Sequence, residues 1–174
     1  MRAMKSIIVS LAAGLLSINA AHADICADMR TVYQQSQSHF DGWKKEGADS
    51  GGKAGIAYPA TFMLDGADSC SISGNSSSYS CIWRFTTPAD LGRAYQRMVN
   101  DIKACPPLVK AEAGILADKP QERTQGDLRQ TMEVTGFDFA DAEATLLLGQ
   151  MQITGPRGLS RNELKLTFSR SAAH

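Results

Sequence analysis

The chain has 174 residues, with 18 Lys and Arg against 18 Asp and Glu and a formal charge of zero. Its first 23 residues carry Arg2 and Lys5 and no acidic residue, so without them 16 basic residues face 18 acidic ones and the charge is −2. Neither balance leaves the basic footprint that nucleic acid or an anionic membrane needs, and the remaining ~150 residues are enough for one domain with a real core.

The N-terminus reads in three parts: a positive start at Arg2 and Lys5, an uncharged apolar stretch from Ile7 to Ile18, and the small-x-small triplet Ala21-His22-Ala23. That order predicts a secretory signal peptide over 1–23, cleaved ahead of Asp24. The stretch is too short to span a bilayer comfortably, and no later segment has the length or apolar continuity of a membrane helix. A lipidated Cys26 would need a small residue before it; Ile25 is bulky and branched, which excludes a lipoprotein. The mature chain, 24–174, is expected as a single domain in the periplasm or outside the cell, off the membrane.

Along that domain, Ile25, Met29, Val32, Tyr33, Phe40 and Trp43 recur at helical spacing and predict a helix over 25–45. Residues 47–55, GADSGGKAG, are a flexible loop by composition. Residues 60–64, ATFML, read as a short strand ending at the turn Asp65-Gly66. Cys70 and Ile72 alternate with serines, and Tyr79, Cys81, Trp83 and Phe85 alternate with Ser80, Ile82 and Arg84. Period-two alternation on both sides of Gly74-Asn75 predicts a β-hairpin turning at Gly74–Ser77. Leu91, Tyr95, Met98, Val99 and Ile102 then predict a helix over 88–104, with Thr87 as N-cap, Pro88 in the first turn and Pro106-Pro107 as the stop. Residues 108–125 read as a short helix and a connection. Leu128, Met132 and Val134 suggest a strand, 143–154 a longer one with a bend or bulge at Gly149. Residues 155–160 turn the chain, and Leu164, Leu166 and Phe168 alternate in a half-buried last strand.

The order helix, three strands, helix, three strands gives an α+β fold, α-βββ-α-βββ. Two helices pack on one face of an antiparallel sheet of about six strands.

Four cysteines in an oxidising compartment favour two disulfides. The hairpin register puts Cys70 opposite Cys81 and Ile72 opposite Tyr79, and facing Cβ atoms ~4.5–5.5 Å apart suit a bridge. Cys26 then pairs with Cys105, because an antiparallel helix pair brings the start of the first helix to the end of the second. No C-x-x-C occurs, and the mature histidines are His39 and His174, so no metal site and no redox role are expected.

The remaining motifs lack the context their chemistry requires. Gly47-x-x-x-x-Gly52-Lys53 has a helix before it and Ala54 after the lysine, and is a Gly-rich linker, not a phosphate loop. Ser50-Gly-Gly-Lys53 matches S-x-x-K, but two glycines oppose the helix that would align the pair. A Ser-His-Asp triad would have to use His39, placed on the first helix beside Asp41, and no G-x-S-x-G elbow exists. Asp138, Asp141 and Glu143 make a solvated acidic turn with too few ligands for calcium. Asn75-Ser76-Ser77 is a glycosylation sequon, which matters only in a eukaryotic host. Tyr79, Trp83 and Phe85 share a strand face with Cys81 and are expected in the core under the helices.

No catalytic, cofactor or metal residue is therefore assigned, and binding residues are left open. The expectation is an exported binding protein with a protein partner in the cell envelope, concretely an inhibitor or immunity protein against an envelope-targeting enzyme. Two alternatives stand beside it. One is a small periplasmic hydrolase built from scattered Asp, Glu, Ser or Tyr, with Glu112, Glu122 and Glu133 as candidates. The other is a self-associating envelope scaffold.

Overall fold

In a computed structural model, residues 25–46, 49–50, 56–73, 78–105, 120–139 and 144–170 are described. Helix α1 (Ile25–Ser36) is followed by strands β1 (Asp49–Ser50), β2 (Ile56–Pro59), β3 (Ser69–Ser73) and β4 (Ser78–Phe85). Helix α2 (Pro88–Lys103) leads into β5 (Gln121–Gln125), β6 (Leu128–Asp138), β7 (Ala144–Thr154) and β8 (Ser160–Arg170). All eight strands join one antiparallel sheet in the order β1-β2-β3-β4-β8-β7-β6-β5. The α+β architecture is as expected, with two strands more than the six read from the sequence: the two-residue β1, and β5.

The signal-peptide reading, the hairpin turn 74–77 with its sequon, and the acidic residues Glu112, Asp141 and Glu143 lie outside the described residues, as do Gly52, Lys53 and His174. Ser50 sits in the short strand β1.

Alternation sets which side of the sheet is covered. Leu164, Leu166 and Phe168 of β8, Leu146 and Leu148 of β7, and Tyr79, Cys81 and Trp83 of β4 are buried beneath the helices. Helix α2 contributes Leu91, Tyr95, Val99 and Ile102, and α1 contributes Met29 and Val32. Thr87 caps α2: its Oγ1 accepts from the Asp90 amide at 3.1 Å and donates to the Asp90 carboxylate at 2.6 Å, satisfying an amide that a helix start otherwise leaves unpaired.

Both bridges have the expected partners, Cys26–Cys105 with Cα atoms 5.3 Å apart and Cys70–Cys81 at 4.1 Å. The hairpin register is also as read: Cys70 faces Cys81 and Ile72 faces Tyr79.

Four local expectations are corrected. Helix α1 stops at Ser36, not near 45. The Ser36 and Ser38 hydroxyls donate to the carbonyls of Tyr33 and Gln35, and the Phe40 amide reaches back to the same Gln35 carbonyl. These bonds compete with continued helix, and His39 and Phe40 take positive φ of 54° and 58°. Phe40 is still fully buried, delivered by a turn instead of a helix face.

The strand read at 60–64 lies at Ile56–Pro59 instead. Beyond Ala60, backbone carbonyls are claimed by side chains: the Tyr79 hydroxyl donates to Phe62 O at 2.9 Å and Trp83 Nε1 to Asp65 O at 3.0 Å. Residues 121–125, read as a connection, form the edge strand β5. Gly149 makes no bulge: it pairs with Val134 and Lys165 in two unbroken registers.

Candidate functional site

On the helical side, α1, α2, β4 and the loop before β3 leave a cleft of about 190 Å³. Trp83, Phe85, Leu64 and Leu164 supply apolar surface; Asp28, Asp65, Asp101 and Arg97 supply charge. Each wall has a local cause. Ala94, Arg97, Met98 and Asp101 stand at i, i+3, i+4 and i+7 on α2, one stripe beside its buried face. Asp28 lies in the first turn of α1, where a carboxylate complements the helix dipole. Asp65 precedes Gly66, whose φ of +66° turns the chain, and the bond from Trp83 Nε1 ties that loop to the sheet. The Cys26–Cys105 bridge fastens the start of α1 to the end of α2, so both helical walls are held at one end.

The cleft continues past Phe85, Ala94 and Arg97 onto a shelf bearing Arg84, Arg93 and Asp90. Arg93 pairs with Asp90. Arg84 pairs with Glu163 at 3.2 Å, and Glu163 is also held by Arg161 at 2.8 Å. Arg97 makes no ion pair with another described residue. The site is therefore acidic at one end and cationic at the other, with aromatic surface between.

Of the residues singled out from sequence, Tyr79 and Trp83 are buried with Cys81, and Phe85 is half-buried at the cleft. His39 is not on the helix; it lies exposed in the turn after α1. Glu122 and Glu133 share the helix-side face of β5 and β6, by the pairing of Glu122 with Thr131. Glu133 accepts from Gln150 Nε2 at 2.6 Å, and neither glutamate lines the cleft. Among the described residues no three His, Cys, Asp or Glu side chains are placed to hold a metal ion. No described helix is long and apolar enough to cross a membrane.

Sequence reasoning missed Asp28, Asp65, Asp101 and Arg97. The α2 stripe 94-97-98-101 was the available signal; the other two carboxylates come from separate segments with no shared pattern.

Fold and site together define a disulfide-stapled α+β domain with a bipolar, aromatic-lined cleft on its helical side. No family model, curated protein or solved structure matches the chain.

Proposed function

We propose that the mature chain is an exported, periplasmic binding protein whose cleft receives a side chain of a protein partner in the cell envelope. Its concrete form is an inhibitor or immunity protein against an envelope-targeting enzyme. The lining of the cleft carries this reading. A narrow part of about 190 Å³ opens onto a shelf of about 400 Å³, and the two offer apolar surface flanked by charges of both signs, which suits an anchoring residue of a protein surface with polar neighbours around it. The Cys26–Cys105 bridge supports it further, since walls set before the partner arrives lower the ordering cost of association. A two-disulfide domain also suits an oxidising compartment.

The test is capture from periplasmic extract on the immobilised, oxidised mature protein. A stoichiometric partner is expected on the native protein and not on the folded Asp65→Lys/Asp101→Lys form. Recovery of no such partner, or equal recovery on both, rejects the reading. The hydrolase alternative draws on Asp28, Asp65 and Asp101 sharing the cleft; an envelope polymer shortened by the native protein, with no partner retained, would select it.

A further inference from the structure

Among the described residues no helix lies over the opposite face of the sheet. Its residues follow from the registers: Met132, Val134, Leu147, Met151 and Lys165 surround Gly149. Because Gly149 has no side chain, the sheet carries there an opening of about 190 Å³, lined almost wholly by apolar groups. Met132 is 38 % exposed, and Leu128 on the same face of β6 is 39 % exposed. An antiparallel sheet with one free face ordinarily turns polar residues outward on it. Here the β3–β4 part obeys, with Ser69, Ser71, Ser78 and Ser80, while the β6–β7 part is apolar and rich in methionine. Methionine surfaces adapt to partners of varied shape.

Among the described side chains, charge on this face is mainly positive: Arg123, Arg161 and Lys165 point to it and Arg84 reaches it from the rim it shares with the cleft's shelf, against Glu163 and Asp138, and Glu163 is already shared by two of the arginines. We propose that this face docks an acidic amphipathic protein segment, which seats one apolar side chain in the opening over Gly149 and sets its carboxylates against Lys165 and the arginines. A second copy of this chain fits poorly, because two such faces would oppose like charges. A membrane makes no use of a hole sized for one side chain. The opening over Gly149 and Lys165 lie across the sheet from the cleft, and neither residue lines it, so variants at these two positions test this reading separately from the cleft.

The probe is a synthetic Leu/Glu amphipathic helix, titrated into the ¹⁵N-labelled oxidised protein beside its Leu/Lys counterpart. Saturable shifts are expected at Met132, Gly149, Met151 and Lys165 with the acidic peptide alone. Gly149→Val should close the opening; a Cβ there meets Val134 at an ordinary 3.5 Å, so the strand accepts it. Lys165→Glu is the surface control that leaves the core untouched. Each should weaken binding about tenfold or more, as closing an anchor pocket or reversing a facing charge does. Four outcomes overturn the proposal: no binding of the acidic peptide; equal binding of both peptides; a particle mass that rises with concentration and falls back in Lys165→Glu; or sedimentation with phosphatidylglycerol vesicles when no peptide binds.

Discussion

At Tyr79 three constraints meet. Its ring is fully buried, with ring centres of Trp43 and Phe40 at 5.8 and 5.9 Å. Its hydroxyl donates to the Phe62 carbonyl and so holds the segment before β3 in place. Burial, joined by the charge of Asp28, pushes that hydroxyl above the free phenol value of 10.0, against a backbone hydrogen bond at Leu64. Tyr95, bonded to Thr135 at 2.6 Å, is shifted the same way, again mainly by burial. The unfolded phenols ionise first as pH rises, so stability is fully present below about pH 10 and lost above it as the folded pKa values are approached. Urea unfolding at about pH 8 and about pH 10.5 should show that loss. Tyr79→Phe should shrink the loss while lowering stability at pH 8 by ~1–3 kcal/mol, because Phe62 O loses its donor. An unchanged alkaline loss in that variant would remove Tyr79 from the account.

The elements differ in how much of them can be read from sequence, and the reason is physical. The β3–β4 hairpin is legible to the residue because alternation on two facing strands admits a single register that buries Cys70, Ile72, Tyr79 and Cys81 together. Helix α2 is legible because its cap, its apolar stripe and its prolines agree. The end of α1 is not, since serine hydroxyls and left-handed backbone at His39 and Phe40 close it, and Phe40 and Trp43 keep a helical spacing that the chain does not use. Strand β5, QERTQ, is exposed at every position, so no alternation marks it. The cleft was illegible for a related reason: Asp28 on α1, Asp65 in the loop before β3, and Arg97 and Asp101 on α2 come from three separate segments, and only their packing groups them. Between α1 and α2 the Cys26–Cys105 bridge closes a separation of 79 residues. On the chain-entropy account it contributes ~4.5 kcal/mol, a large share of a domain's roughly 5–15 kcal/mol. Guanidinium unfolding of Cys26→Ser/Cys105→Ser should lose most of that amount. A loss below about 1 kcal/mol would mean that the helices hold their places without the bridge.

The whole sheet is two four-stranded meanders, β1–β4 and β5–β8, joined along their last strands. The seam pairs β4 with β8 from Ser78–Ser169 to Phe85–Asn162, and Ser80 bonds Thr167 across 87 residues of sequence. Helix α2 lies over this seam, so the most buried backbone is central and the thinnest elements, β1 and β5, are the edges. Amide hydrogen exchange should follow that order. Amides of β4, β7 and β8 should open only with global unfolding and those of β5 far sooner; protection of β5 equal to that of β8 would contradict the layout.

Because β8 is the last described strand to leave the ribosome and yet occupies the middle of the sheet, synthesis and assembly run in opposite directions. A nascent chain that has reached only residue 159 holds β4 and β7 as bare, apolar-flanked borders with nothing between them. Such a chain needs shelter until the 11 residues of β8 arrive, and truncation just short of them would leave a sticky fragment in place of a slightly shortened protein.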